Sequence, residues 1–158
     1  MNTIRMDPTA FDSTFDAVIA GFVPNAPTSP DCSYDYNGDG TATLRTFSNH
    51  QSGVSAAKAS LDATAPVAPL KWSPGLYLAA KNHTTDMANQ PTVTYEGTDG
   101  TTPTSRAGKY GSGIVYESNI IGDNDEMFVV MQALIGDSDA GVSRAKMMKD
   151  TFTQVGVA

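Results

Sequence analysis

Residues 70–88, LKWSPGLYLAAKNHTTDMA, carry a clear signal for the start of a helix. The Ser73 hydroxyl can accept a hydrogen bond from the first helical turn. Pro74 follows at the first helical position, where its missing N–H group costs nothing. Apolar and small side chains then recur along the segment, at Leu76, Leu78, Ala79, His83 and Met87. The sequence therefore predicts a long helix that begins at Pro74.

Helical patterns also lie on either side of this helix, at residues 7–22, 49–62, 123–135 and 142–149. Asp7 and Pro8 repeat the combination of a cap and a proline at the start of the first of these segments. Asp125 is the expected cap of the third segment. The chain is thus predicted to be rich in helices on both sides of residues 70–88.

Strands are expected late in the chain, over residues 111–121 and residues 151–158. Residues 23–46 contain three prolines and two turn-forming glycines, which predict a loop. Helices that come first and strands that come late indicate an α+β fold rather than a doubly wound α/β fold.

The bulk composition excludes several classes of protein. The 158 residues predict a single domain over residues 1–158. The formal net charge is −7 and the 10 lysines and arginines form no basic cluster, so nucleic-acid binding is not expected. No apolar run approaches the roughly 20 residues of a transmembrane segment. The single cysteine, Cys32, excludes an intrachain disulfide, and the start of the chain lacks the features of a secretion signal. Both observations allow an intracellular location.

Residues 35–46, DYNGDGTATLRT, resemble the start of a calcium-binding loop. Asp35, Asn37 and Asp39 stand at the first, third and fifth positions of that motif. The twelfth position, which should be a bidentate glutamate, is Thr46, and the preceding residues do not form a helix pattern. A turn in which the aspartates bind their own backbone is therefore favoured, and a weak calcium site is the alternative.

Few residues offer catalytic chemistry. His83 has no second metal ligand three or four positions away, so a hydrogen-bonded core or rim histidine is the favoured interpretation. Glu96 and Glu117 could act as an acid and a base if the fold brought them together, but carboxylates that lie on the surface or anchor loops are favoured. Cys32 has no neighbour that would activate its thiol.

Five segments share their order and spacing with the motifs of one known family. They are MNTIRMDP at residues 1–8, LKWSPGLYLAAKNHTTDM at 70–87, YEGTDGTTPTSRAGKYG at 95–111, ESNIIG at 117–122 and SRAKMMKDTFTQVGV at 143–157. On these residues the chain resembles the CAP superfamily of cysteine-rich secretory, antigen 5 and pathogenesis-related-1 proteins, in its disulfide-free bacterial or protist form. The resemblance implies a three-layer α-β-α sandwich with a small, mainly antiparallel sheet. Its final strand is expected either to be absent here or to come from a partner. It also implies a secreted protein.

In many relatives the cleft holds two histidines and acidic residues that bind a divalent metal. The resemblance places Tyr95 and Ser143 at the two histidine positions and keeps Glu117. This set of donors is too weak for zinc, so neither a metal nor another cofactor is expected. Tyr95, Glu117 and Ser143 are instead expected to form a hydrogen-bonded cluster. The neighbouring loop is expected to be organised by four residues, Gly97, Asp99, Gly100 and Arg106.

These expectations lead to three hypotheses about function. The first is a non-catalytic structural or protein-interaction module that binds a protein partner or assembles with itself, with residues 23–46 and 127–135 as candidate contact surfaces. The second is a protein that binds a sterol, another lipid or a different small molecule. The third is a hydrolase that uses the acidic cleft, and it is disfavoured because a general base is missing.

Overall fold

The computed structural model describes residues 1–22, 29, 31–35, 40–47, 49–120, 126–135 and 142–158. The helices are α1 (Asn2–Met6), α2 (Asp12–Ala20), α3 (His50–Asp62), α4 (Pro74–Met87), α5 (Pro103–Gly108), α6 (Glu126–Ile135) and α7 (Val142–Met147). The strands are β1 (Asp31–Tyr34), β2 (Thr43–Thr46), β3 (Lys71–Trp72) and β4 (Gln154–Val155). The predicted α+β class is confirmed, and the sandwich arrangement stays a prediction.

The chain divides into two compact units. The first unit comprises Met1–Pro69 and Gly122–Asp150, and the second comprises Leu70–Ile121 and Thr151–Ala158. The first therefore contains α1, α2, α3, α6, α7 and the β1–β2 pair, whereas the second contains α4, α5 and the β3–β4 pair.

The interior of the first unit is an apolar cluster of side chains from all five of its helices and from the β1–β2 region. Phe47 lies at its centre, with its ring centroid 6.0 Å from that of Phe22 and 5.4 Å from that of Phe128. Met131 and Leu134 of α6 are fully buried in the same cluster. These two side chains are therefore not available for the contact surface that the sequence suggested for residues 127–135. The predicted cap of this helix, Asp125, lies outside the described residues.

The helix predicted over residues 7–22 is confirmed for Asp12–Ala20 and wrong for residues 7–11, which form a turn between two helices. Asp7 ends α1 in an extended conformation, with φ −142°. Its carboxylate accepts hydrogen bonds from the Thr9 amide at 3.1 Å and the Thr9 hydroxyl at 2.8 Å. An aspartate that binds its own turn competes with helix formation, so regular helix resumes only at Asp12.

The prediction of a loop over residues 23–46 is wrong for eight of these residues. Asp31–Tyr34 and Thr43–Thr46 form an antiparallel pair in which Asp31 lies opposite Thr46. Cys32 is fully buried in this pair, its thiol donates to the Val18 carbonyl at 3.1 Å, and burial raises its pKa to about 11. The strands were missed because each has only four residues and most of their side chains are polar.

The calcium-loop alternative is only partly covered by the described residues. Asp35 accepts a hydrogen bond from the Gly40 amide at 2.7 Å, as a turn aspartate does. Asn37 and Asp39 lie outside the described residues, so the alternative stays a prediction.

Arg5 is a fully buried cation that joins three segments of the first unit. Its guanidinium donates to the Ala68 carbonyl at 2.8 Å, to the Lys149 carbonyl at 3.1 Å and to the Met147 carbonyl. The carbonyls of residues 147 and 149 lie at the end of α7, where a helix leaves its last carbonyls without internal partners. Arg5 thus supplies donors that α7 itself lacks.

The second unit begins with the helix that the sequence predicts most clearly. Pro74 starts α4, and the Ser73 hydroxyl accepts a hydrogen bond from the Leu76 amide at 3.3 Å. Immediately before it, β3 pairs in parallel with β4, so that Trp72 lies opposite Val155. The strand predicted over residues 151–158 is confirmed only in Gln154–Val155.

The strand predicted over residues 111–121 is wrong for residues 111–120, none of which is in a strand. Gly113 has φ +143°, and the adjacent Ile114 is 89% exposed. The apolar residues of this segment therefore alternate along the sequence, but the described part of the chain offers no buried face against which they could pack. A sequence pattern alone cannot show whether such a face exists.

Candidate functional site

The candidate site lies in the second unit, around the loop that joins α4 to α5. Asp99 holds the loop in a turn, because one of its carboxylate oxygens accepts from the Thr101 amide at 2.9 Å and from the Thr101 hydroxyl at 2.6 Å. Gly97 donates its amide to the Thr101 carbonyl at 2.8 Å. Gly100 has φ +76°, a conformation that favours glycine. The hydroxyl of Thr101, followed by its amide, lowers the pKa of Asp99.

Asp86 fastens this loop to α4. Its carboxylate accepts from the Thr98 amide at 2.8 Å and from the Thr98 hydroxyl. These hydrogen bonds, led by that of the hydroxyl, lower the pKa of Asp86. Both aspartates are therefore held ionised at neutral pH.

Arg106 of α5 is the centre of the site and is only 5% exposed. It donates to two backbone carbonyls, that of Thr101 at 2.8 Å and that of Tyr95 at 2.9 Å. One of its terminal nitrogens also reaches both carboxylate oxygens of Glu117, at 2.9 and 2.8 Å. Since the Glu117 side chain is only 18% exposed, this ion pair is largely shielded from solvent.

His83 of α4 lies beside the ion pair and is 2% exposed, which confirms the prediction of a buried, hydrogen-bonded histidine. Its Nε2 lies 2.8 Å from the Thr94 carbonyl oxygen and therefore carries the proton that it donates. The same nitrogen is 3.5 Å from Oε1 of Glu117. Asn119 donates its amide to that carboxylate oxygen at 3.3 Å, so Glu117 is contacted from three sides.

The residues that the resemblance assigns to the family's cleft-ligand positions are placed differently from one another. The Tyr95 side chain is 51% exposed, and its carbonyl is the atom that Arg106 binds. Ser143 belongs to α7 of the first unit and is buried. The cluster expected from Tyr95, Glu117 and Ser143 stays a prediction. Within the described residues, no group of three or more histidine, cysteine, aspartate or glutamate side chains is arranged to hold a metal.

A pocket of about 180 Å³ opens between α4, the 97–101 loop and α5. His83 and Arg106 contribute its buried lining, and Asp86, Asp99 and Lys109 contribute its charged lining. The pocket thus brings carboxylates and cations to one small space.

Sequence reasoning missed both α5 and this pocket. Helix α5 begins with a capping box, in which the Ser105 amide donates to the Thr102 hydroxyl at 3.2 Å and the Thr102 amide donates to the Ser105 hydroxyl at 2.9 Å. Thr102 followed by Pro103 is the same cap-and-proline signal that predicted α4, and it would have identified this short helix. The pocket has no comparable signal, because its residues are spread over residues 82–109.

Comparison with known proteins gives one match. The model of the family described as CAP, Cysteine-rich secretory protein family, matches residues 5–158, which is nearly the whole chain. No curated protein and no solved structure matches the chain. In the described part of the chain, none of the helices is long and apolar enough to cross a membrane.

Proposed function

The chain belongs to the CAP family, and on that premise we propose that it is a non-catalytic domain with a structural or protein-interaction role. The observation that carries the proposal is the ion pair of Arg106 and Glu117, in which one guanidinium nitrogen contacts both carboxylate oxygens at 2.9 and 2.8 Å. The one acidic side chain kept at a cleft position is therefore already neutralised by a cation.

A zinc ion does not fit these donors. Zinc sites use thiolate, imidazole and carboxylate ligands. Here the two histidine positions hold Tyr95 and Ser143, whose neutral oxygens are poor ligands for zinc. Glu117 would have to leave Arg106, which would then remain as a buried and unpaired charge beside the metal.

Acid–base catalysis is also disfavoured by the contacts of this cluster. A general base must have a lone pair free to take a proton from a substrate. The Glu117 carboxylate is engaged by Arg106 and Asn119, and the Nε2 proton of His83 is held by the Thr94 carbonyl. These contacts hold the loop around residues 94–101 in place. Nδ1 of His83 keeps an unused lone pair, but this nitrogen is closed to solvent and therefore to a substrate.

An interaction role is supported by apolar side chains that the second unit exposes. Ile114 is 89% exposed and Trp72 is 56% exposed. The Trp72 ring centroid lies 5.6 Å from that of Tyr77, so two aromatic rings adjoin at the surface. Exposed aromatic residues are enriched at protein interfaces.

Calorimetric titration with zinc tests the metal part of this proposal. Native protein is expected to give no saturable heat at micromolar zinc. The Arg106→Met variant should be titrated beside the native protein, because it frees Glu117 while the two histidine positions remain unchanged. This variant is also expected not to bind zinc. Micromolar binding that Glu117→Ala abolishes would overturn the proposal.

Sedimentation velocity over a range of protein concentrations tests the interaction part for self-assembly. If Trp72 and Ile114 form a contact surface between copies, Trp72→Ser and Ile114→Ser will each weaken association. Exchange of Lys149, an exposed residue of the first unit, for Gln is the control and is expected to leave association unchanged. Association that persists unaltered in both serine variants would count against this surface.

A further inference from the structure

The pocket between α4, the 97–101 loop and α5 combines opposite charges that do not contact each other directly. The hydrogen bonds from Thr101 lower the pKa of Asp99, and the charge of Lys109, which also lines the pocket, lowers it by a smaller amount. Lys109 and Asp99 nevertheless form no ion pair within 4 Å, and the Lys109 ammonium has no hydrogen bond in the described part of the chain. A small polar group could therefore bridge the space between them.

The acidic side of the pocket is already fixed in position. Thr98 holds Asp86 and Thr101 holds Asp99, each through an amide and a hydroxyl. The Thr101 bonds both engage a single oxygen of Asp99. Carboxylates that are held by the protein before binding lose little conformational entropy when a ligand arrives.

The buried part of the lining is formed by His83 and Arg106, which are 2% and 5% exposed. Each keeps one nitrogen, Nδ1 of His83 and Nε of Arg106, without a hydrogen-bond partner among the described residues. Both nitrogens are closed to solvent, so the groups that a ligand can reach are the charged side chains of Asp86, Asp99 and Lys109.

We propose that this pocket binds a small zwitterion, a molecule of amino-acid size that carries one ammonium and one carboxylate group. The ammonium group lies between Asp86 and Asp99, and the carboxylate group faces Lys109. The pocket volume of about 180 Å³ suits a ligand of this size.

Charge complementarity distinguishes this ligand from simpler ones. A free anion would be repelled by two ionised aspartates, and a free cation by Lys109. A zwitterion pairs with both sides at once. The proposal requires neither a metal nor a reaction, so it goes beyond the proposed function and is tested separately from it.

Nuclear magnetic resonance titration of the native protein with L-alanine tests this proposal. Saturable shifts are expected for the amides of residues 82–86 and 97–109, with no comparable response to acetate, methylammonium or glycerol at the same concentrations. Lys109→Gln and Asp99→Asn are expected to weaken binding by about two- to fivefold, the upper part of the range for losing one partly exposed charge pair.

Lys81→Gln is the matched control, because Lys81 lies on α4 with its ammonium 5.9 Å from the centroid of the Tyr77 ring and does not line the pocket. Lys109→Gln removes no described hydrogen bond, so it remains a valid test even if Asp99→Asn disturbs the loop. The proposal is overturned if alanine produces no saturable shifts, if acetate or glycerol reproduces them, or if Lys109→Gln binds as tightly as the native protein.

Discussion

Among the described residues, the first unit buries one cation, Arg5, among many apolar side chains such as Phe15 and Phe47, whereas the most deeply buried side chains of the second unit are His83 and Arg106. The first unit buries a large apolar cluster, and the hydrophobic effect accounts for its cohesion. The second unit is organised around polar groups that bind particular carbonyls and carboxylates.

The contrast teaches that the two units should respond differently to substitution. Apolar contacts are not directional, so a core tolerates changes that preserve volume. Hydrogen bonds to a buried charge are directional, and removing one partner leaves the others unsatisfied. Conservative apolar exchanges should therefore be mild in the first unit, while even a single polar exchange in the second should be costly.

The largest expected effect comes from opening a cavity in the first unit. Phe15 is 1% exposed, so Phe15→Ala should lower the free energy of unfolding by about 3–5 kcal/mol. Urea unfolding followed by circular dichroism measures the change. Ile114→Ala, at a position that is 89% exposed, is the control and should stay within about 0.5 kcal/mol. A loss below about 1 kcal/mol for Phe15→Ala would show that this core is not the principal source of stability.

The next effect comes from removing the central cation of the second unit. Arg106→Met leaves the Thr101 and Tyr95 carbonyls and the Glu117 carboxylate without their donor, and should cost about 2–4 kcal/mol. Adding Glu117→Gln removes the unpaired charge, so the double variant should lose less than the sum of the two single variants. If the stability lost by the double variant equals the sum of the two single losses, the ion pair contributes no coupling energy. The contrast between the units would then be overstated.

A smaller effect is expected at a glycine of the 97–101 loop. A Cβ at Gly97 would lie 2.8 Å from a carboxylate oxygen of Asp99 and 2.9 Å from the Thr101 hydroxyl, so Gly97→Ala must displace hydrogen-bonded atoms. We expect a loss of about 1–2 kcal/mol. Gly108, at the end of α5, has no atom within 4 Å of such a Cβ, and Gly108→Ala should be neutral or stabilising. Equal effects of the two substitutions in thermal unfolding would contradict this account of the loop.

The smallest effect is the response of the loop to acid. The pKa values of Asp86 and Asp99 are lowered from their ordinary value of 3.8, so their contribution to stability is present above pH 3.8 and is lost as the pH falls below it. The amide resonances of Thr98 and Thr101 should therefore stay constant from neutral pH to about 4 and shift only below it. Asp99→Asn should remove the shift at Thr101 and keep that at Thr98. If the midpoint of these pH-dependent shifts lay at or above 3.8, the ordinary pKa, it would contradict the hydrogen bonds assigned to Asp86 and Asp99.

Sequence patterns predicted the elements that local signals define. Helices α3 and α4 lie where periodicity and the Ser73–Pro74 pair placed them. The β1–β2 pair was missed because its stability comes from pairing and from burial of Cys32, which no local pattern records. The predicted helix start at Asp7 was wrong because an aspartate before a proline can either cap a helix or close a turn. Here its hydrogen bonds to Thr9 close a turn.

The candidate site was predictable only in part. Gly97, Asp99, Gly100 and Arg106 were identified from the family's motif, and they lie together around one loop. The partner of Arg106 could not be read from the sequence, because Glu117 is 11 residues away and Glu96 is an equally plausible carboxylate by residue type. Tertiary proximity decides between them.

The chain contains one cysteine and one tryptophan, and they fall in different units. The Cys32 thiol is fully buried, so a thiol reagent can label it only when the first unit opens. Trp72 is half-exposed against Tyr77, so its fluorescence senses the second unit. The native protein thus carries a separate reporter for each unit, and the order in which the two open can be timed without adding a probe.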